Sequence, residues 1–268
     1  MKKHATCLRR AALTCAALLF TTSALAQDEE RSDRWIVDLG TGIQATPKYP
    51  GASDVSLLPI PLLNVYREGD PMPIEAPDEG WGIGVLNRSS TFNIGPSMRF
   101  QGKRREEDVG AAVGDVGITV ELGGFVQLYL DPSLRLRIEG RKGLGGHEGW
   151  ISDVSADYVL TNGEDYVFTI GPRLRIADGN FHDAYFGVTP AVAAATGLPA
   201  FDPGGGIWAV GASAGLTYRL SERWGVYGFG GYNRLVGDAA DSPIVRAFGS
   251  RDQFSGGIGV FYTFGVNL

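Results

Sequence analysis

Apolar and polar residues alternate along most of this chain, and the pattern is strictest at its C-terminal end. In RDQFSGGIGVFYTFGVNL the even positions from Phe254 to Leu268 are apolar or aromatic apart from one glycine, and the odd positions are mostly small or polar. A period of two residues predicts a β-strand whose two faces meet different surroundings. We expect the apolar face to meet lipid and the glycine-rich face to line an interior, with Phe261, Tyr262 and Phe264 in an aromatic girdle.

The same alternation recurs in most segments after residue 27. Within 116–130, one face carries valine, isoleucine and leucine, and the other carries Glu121, Phe125 and Gln127. Within 133–143, leucine and isoleucine alternate with arginine and glutamate. The pattern predicts strands near 34–44, 56–66, 81–87, 91–102, 116–130, 133–143, 150–161, 165–176, 206–220, 224–235 and 254–266.

The connections between these strands alternate between short and long. Short turns at 131–133, 161–165 and 221–223 contrast with long, glycine-rich and charged connections at 102–115, 143–149, 177–206 and 236–253. Tight periplasmic turns and long outside loops are typical of outer-membrane β-barrels. The last strand would then run inward from the long 236–253 loop, which places the C-terminus in the periplasm.

An even strand number is expected for a bacterial barrel, and the alternating segments supply eleven. The stretch PMPIEA (71–76), paired as a hairpin with 81–87, would add one more. We therefore predict an all-β fold, a closed antiparallel transmembrane β-barrel of about twelve strands, with ten as the fallback. The barrel is expected to be monomeric.

One helix is predicted within the long 177–206 connection. Thr189 suits an N-cap, Pro190 the first helical position and Gly197 the position after the end, and Pro199 follows. This short helix would lie in an outside loop or fold into the barrel mouth.

The chain opens with a basic stretch, an apolar stretch and an Ala-x-Ala site, which predict a cleaved signal peptide over 1–26 and a barrel domain over 27–268. Cleavage removes four basic residues, so 24 Lys and Arg fall to 20 against 30 Asp and Glu, and the net charge moves from −6 to −10. It also removes both cysteines, Cys7 and Cys15. An acidic, exported chain without cysteine argues against nucleic acid as a partner and against a cysteine-ligated metal.

Hydropathy directs the choice between helices and strands as spanning elements. The mean hydropathy is −0.03, and no run of 18 apolar residues follows the predicted signal peptide. Alternating strands of a barrel keep the mean hydropathy near zero because only every second residue meets lipid. We therefore expect the lipid of a Gram-negative outer membrane to surround the protein.

Motifs for enzymatic chemistry are weak in this sequence. GASAG (211–215) matches the nucleophile pattern G-x-S-x-G, but Ser213 lies inside an alternating strand rather than between a strand and a helix, and no histidine follows His182. The mature chain has two histidines, His147 and His182, both in polar loops and expected to be solvated. We expect no catalysis, no metal and no cofactor.

The inward faces of four consecutive predicted strands carry many charges. Pairing of these strands would place acids and bases side by side, either as a structural network or as the lining of a selective pore or small-ligand site. The candidate residues are Glu121, Arg135, Arg137, Glu139, Arg141, Asp153, Asp157, Arg173 and Arg175.

Several loop motifs resemble those of the MipA/OmpV family of outer-membrane proteins. They are KYPGAS (48–53), AYFGVTP (184–190), GLPAFDPG (197–204) and YRLSERWGVYGFGGYNRLVGDAADSPIV (218–245). The loop residues that carry the resemblance are Tyr49, Pro50, Gly51, Tyr185, Gly187, Asp238, Ser242, Pro243 and Ile244.

This resemblance implies a monomeric outer-membrane barrel without enzymatic activity. Members of the family are linked to murein metabolism, one as a scaffold joining a lytic transglycosylase to a bifunctional murein synthase, and others to adhesion or small-molecule uptake. A scaffold for murein enzymes needs a periplasmic surface, whereas the motif loops fall on the outer side of the predicted topology. The preferred function is nevertheless such a scaffold, with a channel or small-molecule binder and a surface adhesin as alternatives.

Overall fold

The computed structural model describes residues 34–74, 76, 78–82, 84–85 and 91–267, and the predicted signal peptide lies outside them. The strands within this part are β1 (Arg34–Pro47), β2 (Val55–Arg67), β3 (Trp81–Gly82), β4 (Phe92–Gln101), β5 (Thr119–Asp131), β6 (Leu134–Leu144), β7 (Trp150–Thr161), β8 (Tyr166–Ala177), β9 (Gly206–Arg219), β10 (Trp224–Leu235) and β11 (Asp252–Asn267). The helices are α1 (Glu106–Val109), α2 (Gly179–Phe186), α3 (Pro190–Thr196), α4 (Gly237–Asp241) and α5 (Pro243–Phe248).

All eleven described strands form one antiparallel sheet, in the order β2-β1-β11-β10-β9-β8-β7-β6-β5-β4-β3. The sheet curls around an interior, because side chains of strands far apart in this order meet. Tyr66 of β2 accepts a hydrogen bond from Arg219 of β9 at 2.6 Å, although three strands separate β2 from β9. The predicted all-β antiparallel class is confirmed. Within the described residues the pairings leave β2 and β3 as the two edges of the sheet.

The outward face of the sheet is apolar and exposed, as the alternation predicts. Ile258 is 69% exposed on β11, whereas its inward neighbours Gly257 and Gly259 are partly covered. Long apolar side chains on β2, β5 and β6 are exposed in the same way. A soluble monomer rarely carries so extensive an apolar surface, and this one forms the lipid-facing side of a membrane-spanning sheet.

Three apolar side chains are buried although the sequence pattern predicts them on the lipid-facing side or in the aromatic girdle. Phe261 is 1% exposed and lies inside, where its ring fills the space that a Cβ on Gly225 would take, so it belongs to no girdle. The alternation within 206–220 predicts Trp208 on the apolar, lipid-facing side, but Trp208 is buried, because the register of β8 and β9 shifts between Arg175 and Ile176 and turns its side chain inward. Val116, expected on the lipid face, is buried in loop packing ahead of β5.

The twelfth strand expected at 71–76 is not formed by the described residues of that stretch, 71–74 and 76. Pro71 and Pro73 lack the N–H that a strand ladder requires, and the chain here turns into the interior. Of the expected strand 81–87, residues 81–82 form β3 and pair with Met98 and Ser97 of β4, whereas 83, 86 and 87 lie outside the described residues. The other ten predicted strands are confirmed.

The predicted helix is confirmed as α3. Thr189 Oγ1 accepts a hydrogen bond from Val192 N at 3.3 Å, Pro190 begins the helix, and Gly197 ends it with φ of 76°. Helices α1, α2, α4 and α5 were not predicted, and all four lie in long connections. Within the described part of the chain, no helix has the length and apolar character needed to cross a membrane.

The sheet has two different ends. One end carries the short turns between β5 and β6, between β7 and β8, and between β9 and β10, and we call it the turn end. The start of β1 and the end of β11 lie at the same end. At the other lie the long connections 48–54, 102–118, 178–205 and 236–251, which we call the loop end. Apolar side chains of these long connections form the principal core of the protein, which we call the cap.

Candidate functional site

A network of charged side chains lies on the inward faces of five adjacent strands. All nine residues expected in this position are there, joined by Arg99 of β4, which sequence reasoning missed. We call these ten residues the interior charge cluster: Arg99, Glu121, Arg135, Arg137, Glu139, Arg141, Asp153, Asp157, Arg173 and Arg175.

Arg141 organises the part of the cluster nearest the loop end. Its Nε donates to Glu121 Oε2 at 3.0 Å, and its two terminal nitrogens donate to Glu139 and Asp153. Arg99 donates to Asp153 from the neighbouring side at 3.3 Å. Because the Arg141 side chain is fully buried, each of these carboxylates offsets the cost of removing its charge from water.

Arg135 and Arg173 organise the part of the cluster nearer the turn end. Both contact Asp157: Arg135 Nη2 lies 2.7 Å from Asp157 Oδ2, and Arg173 Nη2 lies 2.8 Å from Asp157 Oδ1. Arg137 donates to Glu139 Oε1 at 2.9 Å and lies 3.6 Å from the centre of the Phe125 ring. The cluster is thus a continuous lattice of ion pairs rather than a set of separate bridges.

The described residues of the stretch 71–80 enter this cluster from the turn end; we call this stretch the inserted segment. Met72 N donates to Gly163 O at 3.0 Å in the turn between β7 and β8, and the Ile74 carbonyl accepts from Arg135 at 3.2 Å. Gly80 N then donates to Glu139 at 3.2 Å, immediately before β3. The segment therefore runs along the inside of the sheet.

Asp78 and Glu79 of the inserted segment bind the arginines of the cluster. Asp78 accepts from Arg173 Nε at 2.8 and 3.0 Å, and Glu79 accepts from Arg135 at 2.5 and 3.2 Å. Arg175 lies 3.4 Å from Asp78. Sequence reasoning does not find these two partners, because Asp78 and Glu79 fall in the turn between the predicted strands 71–76 and 81–87.

Little space remains between these charges. The cavity lined by Asp78, Glu79, Arg137 and Arg173 has a volume of about 10 Å³, room for roughly one water molecule. A Cβ atom on Gly80 would lie 2.5 Å from Ser97 Oγ, so the inserted segment fits closely. The interior charge cluster is filled by the chain itself.

Both histidines are buried, so the expectation of solvated loop histidines is wrong. His147 Nδ1 accepts from Gly149 N at 3.0 Å, which leaves Nε2 as the protonated nitrogen, 3.4 Å from Glu121 Oε1. His182 Nδ1 lies 2.9 Å from the Asp178 carbonyl oxygen. The long connections fold into the cap and take both rings with them, packed on Phe181.

The cap brings the family-motif residues together at the loop end. Gly51 N donates to Gln253 Oε1 at 3.0 Å, and the Gln253 amide donates to the Ala52 carbonyl at 2.9 Å, which ties the first long connection to β11. Tyr49 is buried and Pro50 is partly covered. Gly51 has φ of 92°, a conformation that other residues rarely adopt.

Tyr185 of α2 packs in the centre of the cap. Arg104 donates to the Tyr185 carbonyl at 3.1 Å and to the carbonyls of Val113 and Gly114, and its guanidinium lies 5.9 Å from the Tyr185 ring centre. Burial raises the pKa of the Tyr185 phenol, and burial lowers the pKa of the Arg104 guanidinium. Arg104 thus satisfies three backbone carbonyls, and the Tyr185 ring serves packing.

The remaining family-motif residues join α2 to α4 and α5. Ser242 Oγ donates to the Phe186 carbonyl at 2.7 Å, and Asp238 accepts from Gly204 N at 2.7 Å. Pro243 begins α5, and the next side chain, Ile244, is buried. Gly187 leaves no room for a side chain, since a Cβ there would lie 2.8 Å from the Asp183 carbonyl oxygen. These loop residues build a plug at the loop end.

The arrangement of the site supports binding by charge. Ser213 lies in the middle of β9, opposite Gly171 and Gly231, and not between a strand and a helix as a nucleophile elbow requires. Among the described residues, no group of three or more His, Cys, Asp or Glu side chains is arranged to hold a metal ion.

The turn end has an open cavity of about 690 Å³. Apolar side chains from Ile36, Met72 and Leu220 contribute to its wall. Its acidic lining residues are Glu68, Asp70, Glu164, Asp165 and Glu222. This end is therefore accessible, whereas the middle and the loop end of the interior are filled.

A curled antiparallel sheet with an apolar outer face and a charged interior defines the class of outer-membrane β-barrel proteins. The protein belongs to the family described as MltA-interacting protein MipA, whose profile matches residues 39–264. Among curated proteins, no sequence matches significantly.

Solved structures of low sequence identity resemble this chain. An outer membrane channel from Pseudomonas putida F1 is 12% identical, with 86% of this chain and 94% of that chain covered and a TM-score of 0.41. The NanC porin is 10% identical, with 85% and 98% covered and a TM-score of 0.39. The KdgM porin is 11% identical, with 85% and 99% covered and a TM-score of 0.37. Scores this low carry no conclusion about function.

Proposed function

We propose that this protein is a non-enzymatic outer-membrane barrel that holds a murein-processing enzyme at the periplasmic face of the outer membrane of a Gram-negative bacterium. The observation that carries the proposal is the filled interior, with about 10 Å³ left between the charges and an open cavity of about 690 Å³ at the turn end. A barrel closed to solutes in this way acts through its surface. The description of its family as MltA-interacting protein supports an enzyme as the partner.

The proposed contact surface is the turn end, which faces the periplasm in the topology of short periplasmic turns. Its acids, among them Glu164 and Glu222, suit a partner that presents lysine and arginine side chains, and the exposed Leu220 adds apolar contact. The cap faces outward in this orientation. The motif loops then lie on the side away from the enzyme, and their proposed role is to plug the barrel and not to contact the enzyme.

Site-specific crosslinking in intact cells tests the proposal. A photoreactive amino acid at Glu164 or Glu222 of the turn end is expected to capture a lytic transglycosylase or a murein synthase, identified by mass spectrometry after purification from outer membranes. The matched control places the same amino acid at Glu107 or Arg246, which are exposed at the loop end. Recovery of no cell-wall enzyme from the turn-end positions, or equal recovery from both ends, would contradict the scaffold.

A channel is the second candidate, favoured by the interior charge cluster. Six arginines within one interior are the lining that an anion-selective pore requires. Substitution of Arg135 or Arg173 would then alter the ion selectivity of measured currents. An unchanged, negligible current in both variants would count against this candidate.

A further inference from the structure

The arginines of the interior charge cluster outnumber its carboxylates. The strands supply six arginines and four carboxylates, from Glu121, Glu139, Asp153 and Asp157, which leaves a surplus of two positive charges. Asp78 and Glu79 of the inserted segment supply two further carboxylates and bring the balance to zero. Unpaired buried charge is strongly unfavourable, so the sheet on its own requires two negative charges from elsewhere.

The contacts of these two side chains are those of a bound anion. Both oxygens of Asp78 lie within 3.0 Å of Arg173 Nε, and both oxygens of Glu79 lie within 3.2 Å of terminal nitrogens of Arg135. Arg175 approaches Asp78 from a third side at 3.4 Å. The planar guanidinium group is suited to bind carboxylates through two nitrogens. Arg135 binds Glu79 in this way, and Arg173 contacts both oxygens of Asp78 through Nε.

The inserted segment is attached by few backbone hydrogen bonds. Its described residues form no strand, and Pro71 and Pro73 have no N–H to donate. Among its described residues, Met72 N donates to Gly163 O and Gly80 N donates to Glu139 at either end, and the carbonyls of Ile74 and Asp78 accept from arginine side chains of the cluster. Withdrawal of the segment towards the turn-end cavity would therefore leave the ladder of the neighbouring strands intact.

We propose that Arg135, Arg173 and Arg175 form a binding site for a small solute carrying two carboxylate groups, and that Asp78 and Glu79 occupy this site as an internal competitor. The solute enters from the turn end and replaces the two side chains on the same arginines. The site is separate from the surface proposed for the murein enzyme, and its test involves no partner protein.

The double variant D78N/E79Q tests this site, because it keeps the shape of both side chains and removes both charges. Succinate is titrated by calorimetry into the folded, detergent-solubilised protein in a low-chloride buffer. We expect the variant to bind succinate at least about tenfold more tightly than the wild type, since the competing charge-assisted hydrogen bonds are lost. The triple variant D78N/E79Q/R173Q is expected to lose this gain.

Two controls separate the site from general electrostatics. The variant E164Q/E222Q also removes two carboxylates, but from the exposed turn end, and is expected to bind succinate like the wild type. Phosphate, titrated into the same proteins, is expected to show a smaller gain than succinate. A preference of D78N/E79Q for phosphate would overturn the assignment to dicarboxylates.

Folding of each variant is checked by its heat-modifiable migration in electrophoresis. If the double variant does not fold, the single variants D78N and E79Q are titrated instead. Each is expected to bind succinate with an affinity between that of the wild type and that expected for the double variant. No gain in affinity in a folded variant that lacks Asp78 or Glu79, or an equal gain in E164Q/E222Q, would overturn the proposal.

Discussion

The Tyr227 side chain shows one reason why inward positions in this sheet are glycine, because it occupies the space above two of them. A Cβ atom on Gly259 would lie 2.3 Å from Tyr227 Cζ, and one on Gly42 would lie 2.6 Å from Tyr227 Oη. Beyond them, the Tyr227 hydroxyl donates to the Ile60 carbonyl at 3.3 Å. One side chain of β10 thus reaches across β11 and β1 to β2, and only glycine leaves room for it.

The variant Gly259→Ala tests this role of glycine. Its added methyl group would overlap the Tyr227 ring, so we expect the free energy of unfolding in urea to fall by about 1–3 kcal/mol. The matched control is Gly230→Ala, where the added Cβ has no heavy atom within 4 Å, and its stability is expected to stay near that of the wild type. Equal stabilities of the two variants would show that the ring imposes no constraint at Gly259.

At the scale of single elements, the strands could be predicted because the polarity of each side chain indicates which side of the sheet it faces. In β6 the sequence alternates Leu136, Arg137, Ile138, Glu139, and the structure places the charged residues inside and the apolar ones outside. The register of the strand cannot shift by one residue, because that shift would place arginine side chains in lipid and apolar side chains among the buried charges. The alternation therefore sufficed for ten strands.

The variant Val260→Arg tests the lipid-facing side of an element. Val260 is exposed near the middle of β11, so an arginine there is expected to cost about 2–4 kcal/mol of insertion free energy. We expect a reduced yield of heat-modifiable protein in outer membranes. The control Ser221→Arg adds the same side chain to an exposed turn and should leave the yield unchanged. A normal yield for Val260→Arg would contradict the assigned face.

The helices of the cap and the inserted segment could not be predicted in the same way. Helices α2, α4 and α5 have eight, five and six residues, too few to show a helical period, and their burial depends on each other. Within the inserted segment, residues 71–76 are predicted as a strand only because a barrel needs an even number of strands. Nothing local marks Asp78 and Glu79 as partners of Arg173 and Arg135, since the contacts join residues far apart in the chain.

The variant Gln253→Leu tests how the cap is fastened to the sheet. It leaves the N–H of Gly51 and the carbonyl of Ala52 without their partners, at a cost of about 1–3 kcal/mol. We expect faster hydrogen exchange at Gly51 and faster proteolysis of the cap. Gln44→Leu, on neighbouring β1, is the control and is expected to exchange like the wild type. Unchanged exchange at Gly51 in Gln253→Leu would contradict the fastening role.

At the scale of the whole molecule, two separate structures close the interior. The cap fills the loop end, and the inserted segment fills the charged middle, where about 10 Å³ is left. Purified wild-type protein in a planar lipid bilayer is therefore expected to give no steady current in potassium chloride. Replacement of residues 76–80 by glycine and serine is the comparison and should also give no steady current, because the cap still fills the loop end. Steady, porin-like currents from the wild type would instead favour the channel.

The neutral interior also bears on the order in which the molecule is assembled. Strands β4 to β8 pair as successive hairpins, but their arginines stay in surplus until residues from an earlier part of the chain arrive. Water must remain around Arg135 and Arg173 until then, because removing water from an unpaired guanidinium group has a high free-energy cost. Arrival of Asp78 and Glu79 thus sets the moment at which the inside dries.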